Sequence, residues 1–452
     1  MGKLFGTDGV RGIAGKELSC SLATKIGTAV AVVLANHSGG KAPRILIGRD
    51  TRISGQMLES ALIAGLCCAG ANCFLAGIVA TPAISFLAEK HGFDAGLMIS
   101  ASHNPFEFNG IKIFNSRGLK LSDELELEIE NFVLNNLSDA NVSQNYRFGQ
   151  CFICERAVDD YVEHVVQTVD NKNLNGIRIA VDCANGSACS SVVELFKKLQ
   201  IDAEFINISP DGYNINLNCG STHIEKFASY VKSRNFDLGV AFDGDADRCL
   251  AVSSRGEVVD GDQLLAIFAS KLKKEGKLQN NTMVVTVMSN LGVFKFAKDH
   301  DINLEVTKVG DRNVLQNMLK NGHIIGGEQS GHIIFKNYAK TGDGQLTAVQ
   351  IINCIKSSGV AFEQLAGLVQ KFPQVLVNVK ANQQQKDLYF KNKEIEAFVA
   401  KQQEILGQDS RILVRCSGTE PLIRIMIEGP DKLLIKKTSQ ELIRKIEKAV
   451  SL

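Results

Sequence analysis

The chain has 452 residues, of which 45% are hydrophobic and 22% charged, with 40 glycines and 7 prolines; this composition excludes a disordered, collagen-like or coiled-coil protein. At about 150 residues per domain, the length predicts roughly three domains and excludes a single small binding module. Lysine and arginine total 50 against 49 for aspartate and glutamate, so the net charge of +1 does not favour binding to nucleic acid or to an anionic membrane.

The first part of the chain alternates short apolar strands with helices, which is typical of βα units. Arg44–Gly48 and Asp94–Ser100 are predicted strands, and Ser54–Cys68 is a predicted helix. A further helix is predicted over Ser122–Asn135, because a serine stands at its N-cap and acidic residues follow in its first turn. Gln144–Glu155 is predicted to be a linker that closes this first domain.

One segment, Ser60–Ala88, has no charged residue and is long enough to cross a bilayer of about 30 Å. Its glycines, Asn72 and Pro82 instead divide it into a helix ending near Ala69, a strand over Cys73–Ile78 and a new helix, so we expect a buried α/β core. The N-terminus carries no secretion signal, which predicts a cytoplasmic protein without a membrane partner. The twelve cysteines are accordingly expected to be reduced thiols with a structural role.

The rest of the chain continues the alternation and then changes its order. Predicted strands lie at Ile177–Val181, Leu238–Phe242 and Met283–Met288, and predicted helices at Cys189–Leu199, Gly261–Lys273, Asp311–Lys320 and Gly344–Ser357. Beyond Phe372–Pro373 come a strand, a helix, two strands and a helix, at Val375–Val379, Asn392–Gln403, Arg411–Arg415, Leu422–Ile427 and Asp431–Val450.

This order predicts an α/β protein of three consecutive α/β domains with mainly parallel sheets and a smaller, open α+β domain at the C-terminus, arranged around a central cleft. The predicted boundaries are 1–150, 151–255, 256–370 and 371–452. Each predicted domain carries one motif that can support chemistry.

The first motif is the segment Ile99–Pro105, which contains Ser102 at the end of a predicted strand. Ligands of parallel α/β proteins bind at the carboxyl ends of strands, so Ser102 is placed to act as a nucleophile or phosphate carrier. A polar turn closed by Asn104 and Pro105 explains the same residues equally well. His103 is the weaker candidate, because adjacent side chains in an extended chain point apart.

The second motif places Asp243, Asp245 and Asp247 directly after an apolar strand. Three carboxylates at alternate positions can converge on one divalent cation, and oxygen ligands suit Mg²⁺ better than Zn²⁺. An EF-hand calcium loop is excluded, because Arg248 stands where glycine is needed and Ser254 where glutamate is needed. A solvated acidic turn is the remaining alternative.

The third motif is the glycine-rich loop Gly326–His332 between two apolar runs. Glycines let the backbone approach a ligand, and Glu328 and Ser330 can face the same way and bind vicinal hydroxyls of a sugar. A plain hairpin turn explains the glycines equally well.

The fourth motif combines guanidinium groups, hydroxyls and a glycine that together can hold a phosphate dianion: Arg415, Ser417, Gly418, Thr419 and Arg424. Its alternative is a capped hairpin turn with exposed arginines. Two N-terminal segments, Phe5–Gly12 and Gly48–Arg52, add glycine-flanked arginines that either face a phosphate or belong to ordinary turns.

Taken together, these segments resemble the α-D-phosphohexomutase superfamily over the whole chain. The resemblance rests on FGTDGVRG, ISASHNP with NGIK, DGDADR, GEQSGH and RCSGTEPLIRIM, in that order. Within the superfamily the chain is similar to the bacterial phosphoglucosamine mutases, on the segments Pro210–Asn216 and Cys219–His223 and on a serine rather than a threonine at the start of SASHNP.

The resemblance implies a role for each matching residue. Ser102 would be a phosphoserine that completes a site for one Mg²⁺ per subunit with the three aspartates. Lys112 would transfer a proton with the substrate hydroxyl, on the expectation that nearby arginines and Mg²⁺ favour its neutral form. Arg11 and His103 would support the phosphoserine. The implied substrate-binding residues are Arg248, Glu328, Ser330, Arg415, Ser417, Gly418, Thr419 and Arg424.

The implied activity interconverts glucosamine 6-phosphate and glucosamine 1-phosphate, with glucosamine 1,6-bisphosphate as intermediate and activator, and feeds UDP-N-acetylglucosamine synthesis for the cell wall. The partner is then a small-molecule sugar phosphate, and a homodimer is common in the resembling family. Phosphoglucomutase or phosphomannomutase activity is the alternative. A sugar-phosphate binding protein without catalysis is disfavoured, because binding alone needs no nucleophile. A hinge near Phe372–Pro373 would let the intermediate reorient.

Overall fold

The computed structural model describes residues 4–6, 8–135, 148–416 and 421–450, with elements numbered here in chain order. The chain divides into two compact units, one formed by Met1–Met288 with Ile302–Leu368 and the other by Ser289–Asp301 with Val369–Leu452. No helix in the described ranges is both long and apolar enough to cross a membrane.

The first sheet of the larger unit has six strands in the order β1-β5-β4-β2-β3-β6, with parallel pairing from β4 to β6 and antiparallel pairing at β5 and β1. Its strands are β1 (Val10–Ile13), β2 (Arg44–Arg49), β3 (Asn72–Ile78), β4 (Ala95–Ile99), β5 (Phe108–Asn115) and β6 (Cys151–Ile153), and its helices are α1 (Cys20–His37), α2 (Gly55–Cys68), α3 (Thr81–Lys90) and α4 (Asp123–Asn135).

The uncharged segment Ser60–Ala88 forms most of α2, then β3 and α3, which confirms the buried core. Helices α1 and α2 pack closely, since a Cβ on Gly65 would lie 2.0 Å from the carbonyl oxygen of Thr24. The predicted linker Gln144–Glu155 was wrong in part, because Cys151–Ile153 forms the edge strand β6 beside β3. A strand of three residues is too short to show an alternation of apolar and polar side chains, so its sequence does not reveal it and only its pairing with β3 identifies it as a strand.

The second sheet has the order β11-β10-β9-β7-β8, with β8, β7 and β9 parallel and the other two antiparallel. Its elements are β7 (Arg178–Asp182), β8 (Asp202–Ile206), β9 (Leu238–Phe242), β10 (Cys249–Ser253), β11 (Val258–Val259), α5 (Ala157–Gln167), α6 (Val192–Lys198) and α7 (Ile224–Ser233). The predicted helix Cys189–Leu199 is interrupted at Ser191, where φ is −133°, so a short 3₁₀ turn precedes α6.

The third sheet has the order β13-β12-β14-β15, with β13, β12 and β14 parallel and β15 returning antiparallel. Its elements are β12 (Thr282–Thr286), β13 (Asn303–Thr307), β14 (Ile325–Gly327), β15 (Ile333–Phe335), α8 (Gly261–Lys274), α10 (Asp311–Asn321), α11 (Gly344–Ser358) and α12 (Phe362–Ala366). Asp260 caps α8 with a reciprocal capping box to Gln263, which explains why the helix begins there.

The smaller unit is an antiparallel sheet in the order β16-β18-β17 covered by helices. Its elements are β16 (Gln374–Lys380), β17 (Arg411–Cys416), β18 (Leu422–Glu428), α9 (Leu291–Asp299), α13 (Gln383–Lys391), α14 (Lys393–Leu406) and α15 (Lys432–Val450). Helix α9 joins this unit because Asn290, buried at its N-cap, donates to the carbonyl of Phe372 at 3.1 Å and to Glu428 at 3.0 Å. Three mainly parallel α/β sheets and a smaller antiparallel sheet with helices confirm the predicted fold class, whereas the central cleft and the exact domain boundaries stay predictions.

Candidate active site

Ser102 lies in the loop that follows β4, an interior strand of the first sheet, and its side chain is buried. Its hydroxyl donates to Oδ2 of Asp243 at 2.7 Å, so the structure brings the predicted serine to the first of the predicted aspartates. Ser102 has a left-handed φ of 51°. Because the backbone is not extended there, Nδ1 of His103 lies 3.4 Å from the serine Oγ, and the expectation that the two side chains point apart was wrong.

Arg52 holds the main chain of the serine loop. Its buried guanidinium donates to the carbonyl oxygens of Ser102 and Asn104, each at 2.8 Å, and to that of Pro105. Its Nε donates to Oδ2 of Asp50 at 2.9 Å, and burial raises the pKa of Asp50 although Arg52 opposes that shift. Arg52 thus binds backbone, which favours the turn alternative over a phosphate-facing role for this arginine.

The second sheet's loops hold the same carbonyl from the other side. The side-chain amide of Asn216 donates to the carbonyl of Ser102 at 2.9 Å. A Cβ on Gly244 would lie 2.6 Å from that carbonyl oxygen, so only glycine leaves the room that this approach requires. The amide of Ile53, in the loop after β2, donates at 2.9 Å to the carbonyl of Gly212, in the loop after β8. This bond adds a further link between the loops of the first and second sheets.

The three aspartates follow β9 and are all buried, and their ligand oxygens lie within 4.8 Å of one another. Among the described residues this is the one such cluster of carboxylate, histidine or cysteine ligands. Thr81, at the start of α3, donates its hydroxyl to Oδ2 of Asp245 at 2.6 Å. The Oδ1 atoms of Asp245 and Asp247 are buried and receive no hydrogen bond within the described chain.

The electrostatics of this cluster suit a cation. Burial raises the pKa of Asp243 to about 8, and the neighbouring charges of Asp247 and Asp245 add to the shift. Burial also acts to raise the pKa of Asp247, but Lys112, His332 and Arg248 together outweigh it and hold that pKa well below its usual range. Crowded carboxylates, two of whose oxygens accept no hydrogen bond, are the donor set that hard divalent cations prefer, so the cluster can bind such a metal.

Lys112, on β5, lies beside this cluster with a buried side chain. Its Nζ is 2.8 Å from Oδ2 of Asp245, 3.4 Å from Oδ2 of Asp247 and 3.1 Å from Oδ2 of Asp8. Burial acts to lower the pKa of Lys112, but Asp245 and Asp8 more than offset it and the pKa is well above its ordinary value. The expectation that the neutral form is favoured was therefore wrong for this arrangement, because carboxylates rather than arginines surround the ammonium.

Arg11 and His103 lie close enough for the charge of Arg11 to act on the imidazole ring. Arg11 forms an ion pair with Asp8, the carboxylate that also contacts Lys112. Burial, with the positive charges of Arg248 and Arg11, lowers the pKa of His103 to about 4. The ring next to Ser102 is therefore neutral at neutral pH and can accept or donate a hydrogen bond there.

The third motif, the glycine-rich loop Gly326–His332, contains the turn between β14 and β15. Its Gly331 has a φ of 90°, and a Cβ there would lie 2.4 Å from the carbonyl oxygen of Cys249, so glycine is required on both grounds. Oε1 of Glu328 accepts the amide of Gly310 at 2.9 Å, and Ser330 is exposed. Sugar binding by Glu328 and Ser330 stays a prediction.

His332, at the end of the same loop, is the side chain that reaches the aspartate cluster. It is buried, and its Nδ1 lies 3.6 Å from Oδ2 of Asp247. The amide of Gly342 donates to its Nε2 at 2.8 Å. Nε2 therefore carries the lone pair and the ring proton is on Nδ1, toward Asp247.

The fourth motif lies in the smaller unit. Arg415 near the end of β17 and Arg424 on β18 are register partners, so two guanidinium groups stand on directly opposed positions of one antiparallel pair. Like charges in this position repel, and an anion between them relieves the repulsion. Ser417, Gly418 and Thr419 lie outside the described residues. Phosphate binding by this motif stays a prediction.

Sequence reasoning missed the residues that hold the predicted ones in place. Thr81, Arg52 and Asn216 each bond a site residue, and each is distant from its partner in the sequence. All three lie in segments named above, Ser60–Ala88, Gly48–Arg52 and Pro210–Asn216, but nothing in those segments indicated which site residue each would bond.

Comparison with known proteins connects this site to one family. The sequence matches the four domains described as phosphoglucomutase/phosphomannomutase, namely α/β/α domain I over residues 2–139, domain II over 159–256, domain III over 260–372 and the C-terminal domain over 376–445. It is 50% identical over 447 residues to a phosphoglucosamine mutase of Acetivibrio thermocellus, covering 99% of both chains. It is 51% identical over 452 residues to that of Caldicellulosiruptor saccharolyticus, covering 100% of both.

Solved structures share the fold. A phosphoglucomutase/phosphomannomutase family protein of Burkholderia thailandensis superposes with a TM-score of 0.80 at 24% identity, over 99% of this chain and 97% of that one. The N-acetylphosphoglucosamine mutase of Aspergillus fumigatus, solved with GlcNAc-6P and magnesium, gives a TM-score of 0.70 at 16% identity, over 99% and 96%. At identities of 24% and 16%, these comparisons show a shared fold and nothing further.

Proposed function

This chain belongs to the phosphoglucomutase/phosphomannomutase family, and from that membership we propose that it is an isomerase that interconverts glucosamine 6-phosphate and glucosamine 1-phosphate. Its relatives of about 50% identity over the full length carry the name phosphoglucosamine mutase. The observation that carries the proposal is the hydrogen bond of 2.7 Å between the buried hydroxyl of Ser102 and Asp243, within a cluster of three buried carboxylates.

In the proposed reaction Ser102 carries a phosphoryl group. The bond between that phosphorus and the serine Oγ breaks while the 1-hydroxyl of glucosamine 6-phosphate bonds to the phosphorus and releases its proton, and the freed Oγ takes up a proton to become a hydroxyl. The product is glucosamine 1,6-bisphosphate. After it reorients, the bond between its 6-oxygen and phosphorus breaks, the phosphoryl group passes to the Oγ of Ser102, whose proton is released, and the 6-oxygen takes up a proton so that glucosamine 1-phosphate leaves.

Asp243, Asp245 and Asp247 would hold one Mg²⁺ together with an oxygen of the phosphorylated Ser102. When bound, Mg²⁺ supplies Lewis-acid polarisation of the phosphoryl group and offsets part of the carboxylate charge. Thr81 keeps Asp245 oriented through its hydrogen bond of 2.6 Å, so that carboxylate keeps one fixed oxygen position.

The chain's own residues position the reacting serine. Arg52 and Asn216 bind the carbonyl of Ser102 and so hold the main chain of the serine loop in place. The hydroxyl of Ser102 takes no part in these bonds and points to Asp243. The neutral ring of His103 can exchange a hydrogen bond with the serine oxygen as its charge changes. Lys112 remains our candidate for proton transfer with the substrate hydroxyl: as an ammonium it can give a proton to the substrate oxygen that loses its phosphoryl group, and it donates hydrogen bonds to an anionic phosphoryl oxygen.

Substrate binding is assigned to the two remaining motifs. Glu328 and Ser330 would bind the sugar hydroxyls, with Arg248 beside them. The phosphate that does not react would be held by Arg415, Ser417, Gly418, Thr419 and Arg424. This division requires the predicted central cleft and the hinge near Phe372–Pro373. A cytoplasmic location, a homodimer and a role in UDP-N-acetylglucosamine synthesis belong to the same proposal.

The test compares hexose phosphates on one preparation. Purified protein is incubated with Mg²⁺ and glucosamine 6-phosphate, glucose 6-phosphate or mannose 6-phosphate, and the 1-phosphates are quantified by ³¹P nuclear magnetic resonance. We expect the highest kcat/KM for glucosamine 6-phosphate and no turnover by the Ser102→Ala variant. A higher kcat/KM for glucose or mannose 6-phosphate would assign the chain to the phosphoglucomutase/phosphomannomutase activity instead.

A further inference from the structure

A row of alternating charges runs from α10 in the third domain to the aspartate cluster, and the sequence motifs include only part of it. Its members are, in order, Asp311, Lys120, Asp8, Lys112 and the pair Asp245 and Asp247. We propose that Lys120 and Asp311 are positioning residues for Lys112, acting through Asp8. The inference deepens the proposed function, because it concerns the lysine assigned there to the substrate hydroxyl.

The contacts along this row are direct. The Nζ of Lys120 lies 2.5 Å from Oδ2 of Asp311 and also bonds Oδ1 of Asp8. The other oxygen of Asp8, Oδ2, lies 3.1 Å from the Nζ of Lys112. Asp8 therefore has the Lys120 ammonium on Oδ1 and both the Lys112 ammonium and the Arg11 guanidinium at Oδ2, and these contacts together define the rotation of its carboxylate.

The row is well shielded from water. The side chain of Lys112 is 2% exposed, that of Lys120 is 11%, that of Asp311 18% and that of Asp8 23%. Charges at such depth are screened less than surface charges, so each one affects its neighbours. Burial acts to raise the pKa of Asp8, but Lys112 and Lys120 hold it well below its ordinary value.

Removal of the Lys120 ammonium would leave Asp8 and Asp311 facing each other without a cation between them. Like charges at short range repel, and Asp8 retains a second partner in Arg11. The carboxylate of Asp8 is then held at Oδ2 alone, by Arg11 and Lys112, and it can pivot about the closer Arg11 contact so that its contact with Lys112 lengthens. Lys112 would lose one of its three carboxylate contacts and move toward Asp245 and Asp247.

A separate set of contacts attaches α10 to the first domain. Arg312 bonds Oε1 of Glu126 at 2.5 Å, the carbonyl oxygen of Leu121 at 3.1 Å, and the carboxylate of Asp123. Neither Lys120 nor Asp8 takes part in these bonds. The two domains therefore keep an ionic attachment when Lys120 is changed, which separates a positioning role from a purely structural one.

The test uses the full chain with Lys120→Met, Lys120→Arg, Asp311→Asn and a matched control, Lys340→Met. Lys340 pairs with Glu89 between the same two domains, outside the row. Circular dichroism and thermal unfolding check the fold of each variant. Steady-state turnover of glucosamine 6-phosphate gives kcat and KM, and mass spectrometry follows the loss of phosphate from prephosphorylated Ser102 in a single turnover.

For a displacement of the order of 1 Å at Lys112, we expect kcat and the single-turnover rate of Lys120→Met to fall by about 10- to 100-fold. KM is expected to change by less than about threefold, because the substitution removes no contact that binds the substrate equally in its ground state and its transition state. Asp311→Asn behaves like Lys120→Met, Lys120→Arg recovers most of the loss, and Lys340→Met stays within about twofold of the wild type.

A folded Lys120→Met with kcat within about twofold of an active wild type would overturn this inference and leave the proposed function intact. An equal loss in Lys340→Met would also overturn it, since the effect would then belong to any contact between these domains. If Lys120→Met does not fold, Lys120→Gln decides by the same criteria, because Asp311 also lies 3.6 Å from Nε2 of His332 and so has a second route to the aspartate cluster. A wild type inert toward all three hexose phosphates would overturn the proposed function and this inference together.

Discussion

Replacement of Gly244 by alanine tests whether the spacing between the serine loop and the aspartate loop matters. The added Cβ would lie 2.6 Å from the carbonyl oxygen of Ser102 and 2.8 Å from the side-chain nitrogen of Asn216. Ordinary contacts of a Cβ begin at 3.4 Å, so one of the two loops must shift by about 0.8 Å. The backbone of Gly244 does not have a positive φ, so the effect comes from space alone.

This shift acts on the reacting atoms, because Ser102 bonds Asp243, the neighbour of Gly244. A misplacement of this size is expected to lower kcat by about 100-fold, which corresponds to about 2.7 kcal/mol of lost transition-state stabilisation. The overpacking should also cost about 1–3 kcal/mol of stability. Both are measured on one preparation, kcat with glucosamine 6-phosphate and Mg²⁺, and stability by urea-induced unfolding.

The control is Gly367→Ala at the C-cap of α12, where the added Cβ has its nearest contact at 3.3 Å and the backbone is right-handed. We expect unchanged kcat and a stability equal to that of the wild type or higher by about 0.4–1 kcal/mol. If Gly244→Ala keeps kcat within about twofold of the wild type, the tight approach of the two loops does not position Ser102 and this reasoning fails.

Three further predictions concern the groups around this centre. Arg52→Met leaves Asp50 buried without its partner and should lower the free energy of unfolding by about 3–5 kcal/mol, whereas a loss below about 1 kcal/mol would contradict the buried pair. Burial raises the pKa of Asp343 to about 6, so the folded chain binds more protons than the unfolded chain between about pH 4 and 6 and stability falls as pH rises through that window, by up to about 3 kcal/mol. The Asp343→Asn variant keeps an oxygen that accepts the hydroxyl of Tyr161 and should remove this pH dependence, measured as melting temperatures across the window. An unchanged dependence would show that another group causes the loss of stability. Mg²⁺ at about ten times its dissociation constant should raise the free energy of unfolding by about 1.4 kcal/mol, an effect that Asp245→Asn loses; equal stabilisation of this variant would place the cation outside the cluster.

The sequence was sufficient for features that one segment encodes by itself. Ser102 and the three aspartates each follow a short apolar strand, and such strands end at the edge where ligands of α/β proteins bind. The charge-free segment Ser60–Ala88 was also readable, because its internal breakers divide it into α2, β3 and α3.

The remaining features depend on partners that are distant in the sequence. Arg52 lies 50 residues from the serine whose carbonyl it binds, and Lys120 lies 191 residues from Asp311. Nothing in a local pattern distinguishes such residues from exposed arginines and lysines. The high pKa of Lys112 was missed for the same reason, because it depends on which charges the fold brings to that lysine.

The central claim is that Ser102 carries the phosphoryl group that is exchanged with the substrate. Peptide mass spectrometry before and after incubation with glucose 1,6-bisphosphate, followed by addition of glucosamine 6-phosphate, tests it most directly. The account predicts phosphate on the peptide that contains Ser102, its transfer on addition of substrate, and formation of glucosamine 1-phosphate by the same sample. Turnover of glucosamine 6-phosphate by protein that never carries phosphate on Ser102 would contradict it.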